Sequence, residues 1–137
     1  MTIRQITIED FPKLYSLWKK AGLEVKSIKV EKKELAQMIR LNSGSCLLVE
    51  QDNLIIGSAL GVFNGRRAMV YHLAVDPDYQ HKGYGSILLC KVEEALQKAG
   101  ADIVLLWVNY TNLKVLPFYL KKKYAVSQDA LLLRKAL

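Results

Sequence analysis

Six residues in the middle of the chain have the types and the spacing that bind anions. Residues 80–85 read Gln-His-Lys-Gly-Tyr-Gly, between an apolar run that ends at Val75 and an amphipathic segment that ends at Gly100. The first amides of a helix have no partner within the helix, and the helix dipole adds partial positive charge there. Two glycines let the backbone approach a phosphate closely, and Lys82 adds a full positive charge. The segment therefore predicts either a phosphate site or a plain turn that is rich in glycine.

The segments on either side of this loop must position it. Residues 71–75 are an apolar run typical of a buried strand, and Asp76-Pro77-Asp78 ends it. After the loop, apolar residues recur at the i, i+3, i+4, i+7 spacing of a one-sided helix, and Gly100 suits a left-handed cap. The apolar positions are Leu88, Leu89, Val92, Ala95, Leu96 and Ala99.

Two common nucleotide-binding motifs do not match the loop. A Walker loop needs Gly-Lys followed by Ser or Thr after a longer glycine span, and the chain has no such sequence. A dinucleotide fingerprint needs a third glycine where Leu88 stands. The anion, if there is one, belongs to another class of ligand.

The strand exit and the loop together resemble the Gcn5-related N-acetyltransferase (GNAT) superfamily. Its signature is Gln/Arg-x-x-Gly-x-Gly/Ala after a Val-x-Pro strand exit, and this chain has Val75-Asp76-Pro77 and then Gln80 to Gly85. In that family the loop amides hold the pyrophosphate of acetyl-coenzyme A. The resemblance is to the small single-domain bacterial members whose substrate is unassigned.

A second match lies near the carboxyl end of the chain. Family members carry Asn-x-x-Ala-x-x-Phe-Tyr-x-x-x-Gly-Phe, and here Asn112, Phe118 and Tyr119 are in register with it. Val115 replaces the alanine, Lys123 the glycine and Tyr124 the final phenylalanine. Because Lys123 stands where a helix end prefers glycine, we expect an altered or strained cap there.

The order of elements that the patterns predict is β-α-α-β-β-β-α-β-α-β-β. It describes an α/β (α+β) fold with a mixed, mostly antiparallel central sheet flanked by helices, as the resemblance also implies. Strands and helices do not alternate strictly, which excludes a doubly wound sheet. The predicted strands are 2–8, 46–49, 54–63, 66–75, 103–108, 124–127 and 130–134, and the predicted helices begin near residues 10, 31, 86 and 112.

Four local features carry expectations of their own. Residues 31–34, Glu-Lys-Lys-Glu, are expected to form the solvated first turn of a helix. Gly57, Ala59 and Gly61 leave one strand face almost bare, which favours close packing of a helix over room for a ligand. Asn64-Gly65 predicts a hairpin with a type I′ turn. Pro117 suggests that the last helix begins later than Asn112.

Composition bounds the class of protein. With 137 residues, 51% of them hydrophobic, we expect a single domain over residues 1–137. No apolar run approaches a membrane span, and the first residues lack a signal-peptide core, so the expected location is the cytoplasm. Cys46 and Cys90 fall in apolar segments and are expected to be buried, reduced thiols. With only two histidines in the chain, no metal site is expected.

The net charge of +7 favours an anionic partner, and coenzyme A and nucleic acid both satisfy it. Lys and Arg are spread along the chain rather than clustered on one element, which makes nucleic acid the weaker reading. The three hypotheses are an acetyl-CoA-dependent N-acetyltransferase, a coenzyme A-binding domain without transferase activity, and a small basic nucleic-acid-binding domain.

The resemblance implies acetyl transfer from a thioester to a primary amine, with residues 73–75 and 80–86 positioning the donor. Strand 66–75 and strand 103–108 would splay apart, and a backbone amide in 73–75 would stabilise the carbonyl oxygen. Asn112 would contact the cofactor arm, and it also suits a helix N-cap. The implied cofactor-binding residues are Leu73, Ala74, Val75, Gln80, His81, Lys82, Gly83, Tyr84, Gly85, Ser86, Asn112 and Tyr119.

Two proton transfers remain to be assigned. By the resemblance, Tyr119 is the acid for the coenzyme A thiolate, since a phenol is protonated at neutral pH; periodicity alone would make it a core tyrosine. His72 is a candidate base because histidine titrates near neutral pH. A single histidine on a mostly apolar strand is more often a half-buried structural residue, which is the alternative. The other candidates for the general base are Tyr71, Glu50 and a water relay. The acceptor, a small molecule or a protein amine, and the choice between monomer and homodimer are not readable from the sequence.

Overall fold

The computed structural model describes all residues from Met1 to Leu137. One mixed sheet has the order β1-β2-β3-β4-β5, in which the first four strands are antiparallel neighbours and β4 and β5 are parallel. The strands are β1 (Thr2–Gln5), β2 (Cys46–Gln51), β3 (Leu54–Phe63), β4 (Ala68–Val75) and β5 (Val104–Leu105). The helices are α1 (Phe11–Lys20), α2 (Ile28–Leu41), α3 (Tyr84–Lys98) and α4 (Leu116–Lys121). The predicted fold class is confirmed.

The chain forms two compact units. The first, Met1–Leu106, contains the sheet with α1, α2 and α3. The second, Trp107–Leu137, contains a 3-10 segment, Tyr110–Val115, and α4. No helix in either unit has both the length and the apolar character that a membrane crossing requires.

One face of the sheet packs against α1 and α2. Helix α1 begins at Phe11, close to the predicted start, and its N-cap residue Asp10 makes no side-chain capping hydrogen bond. Helix α2 begins at Ile28, earlier than predicted, because the Ser27 hydroxyl accepts a hydrogen bond from the Val30 amide at 3.3 Å. The apolar stripe of each helix lies in this core. Its largest fully buried members include Trp18, Leu14, Leu35, Leu48 and Leu60.

The other face of the sheet packs against α3 so closely that glycine is required. A Cβ on Gly61 would lie 2.6 Å from Val92 Cγ1 and 2.9 Å from the Ser45 carbonyl oxygen. A Cβ on Gly57 would lie 3.2 Å from the Ala74 carbonyl oxygen. The bare strand face therefore serves helix packing, as expected, and leaves no room for a ligand.

The β3–β4 hairpin is confirmed, but its turn differs from the expected type I′. That turn needs positive φ at both central residues, and here Gly65 alone has it, at +92°. The Asn64 side-chain oxygen accepts hydrogen bonds from the Arg66 and Arg67 amides, both at 2.8 Å, which favours negative φ at Arg66. Glycine first of two central residues is the pattern of a type II′ turn.

The expectation for the two cysteines is half wrong. Both are free thiols, and Cys46 is buried on β2, where burial raises the pKa of its thiol to about 12. Cys90 is exposed, because on α3 it lies one position beyond the buried pair Leu88 and Leu89 and faces away from the sheet. Its apolar neighbours in sequence belong to the other side of the same helix.

The carboxyl-terminal prediction is partly wrong. The last helix does begin later than Asn112, at Leu116 with Pro117 in its first turn. The predicted strands 124–127 and 130–134 are not strands, and β5 is confined to Val104–Leu105 rather than 103–108. Alternation alone does not make a strand, because the ladder hydrogen bonds come from a neighbouring backbone that local sequence does not specify.

Candidate functional site

An irregularity in β4 places His72. Leu60 pairs with Tyr71 and Ser58 pairs with Ala74, so His72 and Leu73 together stand opposite the one residue Ala59. His72 has a φ of +50°, a left-handed conformation that is uncommon for a side chain other than glycine. Such bulges bend a strand and re-aim a side chain, and the surroundings must stabilise the strained backbone.

Buried polar contacts hold the bulge. The Trp18 indole Nε1 donates to Ser58 Oγ at 2.9 Å, and Ser58 Oγ donates to the His72 carbonyl oxygen at 3.2 Å. The indole and imidazole rings meet edge to face with centroids 4.6 Å apart. Helix α1 and strand β3 thus both contribute to the conformation of His72.

A buried carboxylate contacts the imidazole. Glu31 Oε1 on α2 lies 2.9 Å from His72 Nε2, and Glu31 Oε2 accepts a hydrogen bond from the Lys26 amide at 3.0 Å. The Glu31 side chain is only 6% exposed, so the expectation of a solvated first turn is wrong for this residue. A signal for its burial was present: Glu31 precedes Leu35 by four positions and Met38 by seven, which places it on the apolar face of α2.

β4 leaves the β5 register after Met69, before the bulge. β4 and β5 pair at Ala68 with Val104 and at Met69 with Leu105, and the register does not continue past these two pairs. The carboxyl-terminal part of β4, which includes Leu73, Ala74 and Val75, extends beyond it. Residues 70–75 of β4 therefore have no ladder partner on β5.

The glycine-containing loop connects β4 to α3. Gly83 occupies the N-cap of α3 with a φ of +91°, and the first intrahelical hydrogen bond runs from the Ile87 amide to the Gly83 carbonyl at 3.1 Å. The amides of Tyr84, Gly85 and Ser86 therefore precede that first bond. No atom lies within 4 Å of where a Gly83 Cβ would be, so the space above these amides is open.

Side-chain contacts hold the loop against the sheet. Gln80 Nε2 donates to the Val75 carbonyl at 3.0 Å, and the Tyr84 hydroxyl donates to Gln51 Oε1 at 2.9 Å. His81 is exposed, as expected, with a φ of +63°. Lys82 is also exposed, with its ammonium 5.6 Å from the centre of the Tyr79 ring.

Two carboxylates near this loop are already paired. Lys20 Nζ lies 2.9 Å from Asp76 and 3.0 Å from Asp78. Because α1 supplies this cation, the two acidic residues of the strand exit are partly neutralised. The positive electrostatic field at the start of α3 therefore comes from the helix dipole and from Lys82.

Tyr119 and Asn112 lie in the second unit. The Tyr119 ring packs between Phe118 and Tyr124, with centroids 5.1 and 5.7 Å away, and burial raises the pKa of its phenol. Asn112 is exposed at a kink within the 3-10 segment, with φ −132° and ψ 37°. Asn112 is the non-helical residue at which two short helical pieces meet, and its alternative role as a helix N-cap stays a prediction.

Groups of potential metal ligands are absent from the structure. Nowhere do three or more His, Cys, Asp or Glu side chains come together as a metal site would require. The one His–carboxylate pair, Glu31 with His72, lacks a third ligand of this kind.

Comparison with known families gives one match that covers most of the chain. Residues 4–124 match the model of the acetyltransferase (GNAT) family. An acetyltransferase of Sodalis glossinidius is 28% identical over 137 residues, which is 100% of this chain and 96% of that protein.

Comparison with solved structures gives the same architecture. The PaiA N-acetyltransferase of Thermoplasma acidophilum, in complex with coenzyme A, superposes with a TM-score of 0.79 at 23% identity, covering 94% of this chain and 92% of that one. The aminoglycoside 6′-N-acetyltransferase AAC(6′)-IG of Acinetobacter haemolyticus has a TM-score of 0.82 at 14% identity, covering 100% and 99%.

Proposed function

Since its residues 4–124 match the family model, the chain belongs to the acetyltransferase (GNAT) family, and we propose that it transfers an acetyl group from acetyl-CoA to a primary amine. The observation that carries this proposal is the set of amides at the start of α3, which follow Gly83 and precede the first intrahelical hydrogen bond. Bound acetyl-CoA supplies the activated acyl group as a thioester. The family model spans both compact units, which supports residues 1–137 acting as one domain.

The residues at the start of α3 fit a pyrophosphate. The amides of Tyr84, Gly85 and Ser86 donate outward, and the helix dipole favours negative charge at this end. Gly83 adds no side chain over them, and Lys82 contributes a mobile cation. We assign Gln80 and His81 to the same cradle through their backbone, because Gln80 uses its side chain to hold Val75.

The part of β4 that has no β5 partner suits the amide-bearing arm of the cofactor. Backbone groups of Leu73, Ala74 and Val75 lie beyond the β5 register and can bond to a ligand in place of a strand. One of these amides would donate to the acetyl carbonyl oxygen as negative charge develops on it, a contribution of about 3 kcal/mol in other acyl-transfer enzymes. Asn112 is proposed to contact the same arm.

Two side chains are proposed to move protons. Tyr119 gives its proton to the departing thiolate, which its raised pKa supports by keeping the phenol protonated well above neutral pH. His72 takes the proton of the attacking amine. The other carboxylate and phenol candidates are engaged: Glu50 forms an ion pair with Arg4 at 3.1 Å, and the Tyr71 hydroxyl donates to Met69 Sδ at 3.2 Å.

The experiment that tests the proposal measures binding first and transfer second. Calorimetric titration with acetyl-CoA at fixed salt, with ATP and desulfo-CoA as controls, should show one saturable site that ATP does not match. A panel of amines (aminoglycosides, polyamines, amino acids, peptide N-termini) then identifies the acceptor by release of free thiol. Binding without transfer to any amine would favour a coenzyme A-binding domain. Weak binding equal to that of ATP and lost in salt would refute the cofactor site.

A further inference from the structure

We infer that Glu31 is a positioning residue that gives His72 the tautomer a base requires. The inference rests on the proposed function, because it concerns the proton acceptor of the same reaction. The Glu31 carboxylate accepts a hydrogen bond from the protonated Nε2 of His72, so that the lone pair of the neutral ring lies on Nδ1. No feature of residues 31–34 in the sequence singles out this role.

The tautomer follows from the hydrogen bonds that Glu31 makes. A carboxylate can only accept, and its two oxygens contact the Lys26 amide and His72 Nε2. The proton between Glu31 and the neutral imidazole therefore belongs to Nε2, and Nδ1 is left unprotonated. The same carboxylate stabilises the imidazolium that forms when Nδ1 takes a proton.

Nδ1 is accessible. Every buried side-chain nitrogen and oxygen in the structure has a hydrogen-bond partner, and the one hydrogen bond of the His72 ring is at Nε2. Nδ1 must therefore reach solvent, which agrees with a side chain that is 22% exposed. An accessible lone pair on Nδ1, in a ring whose Nε2 is held by a carboxylate, is the geometry of a general base.

The contacts of Glu31 also connect the base to the segment between α1 and α2. The Lys26 carbonyl accepts a hydrogen bond from the Tyr15 hydroxyl at 2.9 Å, and the Lys26 ammonium lies 2.7 Å from Glu34. Glu31 thus links residues 21–27 to the β4 bulge through one buried side chain. The ring is held on two further sides by Trp18 and by the strained backbone of the bulge.

Few ionisable groups face the imidazole. Helix α2 contributes Glu31, whereas α1 and β3 contribute the uncharged Trp18 and Ser58. On β4 itself the neighbouring Tyr71 has its hydroxyl bonded to Met69. A change in the tautomer of His72 after substitution of Glu31 can therefore be assigned to the carboxylate.

Imidazole nitrogen NMR tests the tautomer without any ligand. The chain has two histidines, so an H81N protein labelled with ¹⁵N-histidine reports on His72 alone. We expect a protonated Nε2 and an unprotonated Nδ1 in the neutral ring. In H81N/E31Q the glutamine amide can donate to Nε2, so the population should move toward the Nδ1–H tautomer. The matched control H81N/E34Q, which removes an exposed charge from the same helix, should match H81N.

The outcomes separate this inference from the proposed function. A predominantly Nδ1–H ring in H81N would overturn the inference even if E31Q does not fold, because that measurement keeps Glu31. An unchanged tautomer in a folded E31Q protein would overturn it as well. Neither result depends on acetyl-CoA binding or on turnover, so failure of the proposed function leaves the tautomer measurement valid.

Kinetics then test the positioning role once an acceptor is known. E31Q should lower kcat about 100-fold, the lower end of what general acid–base catalysis contributes, with little change in the KM for acetyl-CoA. A merely structural Glu31 would lower the melting temperature and leave the kcat of the folded E31Q protein unchanged. The control E34Q should keep the kcat and the KM of the wild type.

Discussion

The imidazole Nε2 of His72 lies 2.9 Å from the carboxylate Oε1 of Glu31, although 41 positions separate the two residues in the chain. The pair joins a bulge in β4 to the buried face of α2, and each partner is held by contacts of its own. His72 is therefore a base candidate whose tautomer is fixed and whose Nδ1 is accessible. Five further residues carry testable predictions: Gly83, Tyr119, Gly61, Asp10 and Lys123.

Gly83→Ala should weaken acetyl-CoA binding. A Cβ meets no atom there, but φ +91° is strained for alanine by about 1–2 kcal/mol, so the backbone should relax and turn the loop amides away. We expect the Kd to rise about tenfold, equivalent to about 1.4 kcal/mol. Gly65→Ala is the matched control, with φ +92° and equally open space at the far end of β4. Calorimetry showing equal affinity loss in both variants would contradict the role of the loop.

Tyr119→Phe should lower turnover and leave cofactor affinity unchanged. The substitution removes the hydroxyl and keeps the ring between Phe118 and Tyr124, so packing is preserved. Loss of a general acid lowers kcat about 100-fold. Tyr110→Phe, at a residue that is 92% exposed, serves as the control. Steady-state rates of Y119F at the wild-type level would remove Tyr119 from the mechanism.

Gly61→Ala should destabilise the first unit by about 2 kcal/mol, since overpacking of a close-packed core commonly costs 1–3 kcal/mol. The new Cβ would meet Val92 Cγ1 at 2.6 Å and the Ser45 carbonyl at 2.9 Å. Val92→Ala in the same chain should restore only part of the loss, because the backbone carbonyl remains. Chemical denaturation measures the change. Gly44→Ala, where a Cβ meets nothing within 4 Å, should be nearly neutral.

Asp10 should contribute stability that disappears in acid. Hydrogen bonds from the Arg4 guanidinium, at 2.9 Å to each oxygen, hold the pKa of the Asp10 carboxyl below its usual value. The contribution is therefore complete at neutral pH and is lost as the pH falls below about 4 and through the lowered folded-state pKa. Unfolding free energies of wild type and Asp10→Asn should differ by about 1 kcal/mol at pH 7 and converge near pH 2.

A control separates this effect from general loss of charge. Asp102→Asn alters an exposed carboxylate of the same unit. Its difference from wild type should stay small and nearly independent of pH. A similar convergence for Asp102→Asn would show that the Asp10 result reflects net charge rather than the contact with Arg4.

Lys123→Gly should stabilise the end of α4. Lys123 has a φ of +70°, and around it the Tyr124 amide bonds to the Tyr119 carbonyl at 3.1 Å, the hydrogen bond of a left-handed helix end. Glycine relieves the strain by about 1 kcal/mol. Slower hydrogen exchange at the Tyr124 amide reports it. Lys122→Gly, at a φ of −89°, should speed the same exchange, and an opposite order would contradict the cap assignment.

The glycine pattern was readable from the sequence because its causes are local. Gly83 precedes and Gly85 lies in the first turn of a helix whose apolar stripe is complete by itself, and spacing alone placed Leu88 and Val92 on the packed face. The close packing at Gly61 was foreseen for the same reason. The predicted turn type at Asn64-Gly65 was wrong because the Asn64 side-chain oxygen accepts hydrogen bonds from the Arg66 and Arg67 amides, which dipeptide statistics do not contain.

The carboxyl-terminal strands were not readable, because their hydrogen bonds depend on a partner edge. Residues 130–133, Ala-Leu-Leu-Leu, have the apolar character of a strand, yet they are irregular and the three leucines are exposed. Cys90 shows the corresponding error in a helix. Its apolar neighbours suggested burial, whereas the side of α3 on which it lies decided its exposure.

The sequence by itself determined the family, the fold class and the place of the glycine-containing loop, since motif, periodicity and glycine positions act over a few residues. Only the tertiary structure decided that Glu31 is buried against His72 and that β4 leaves the β5 register after Met69. Hydrogen bonds between distant segments follow from how α2 packs on the sheet. That packing depends on the sum of many apolar contacts, which no short pattern records.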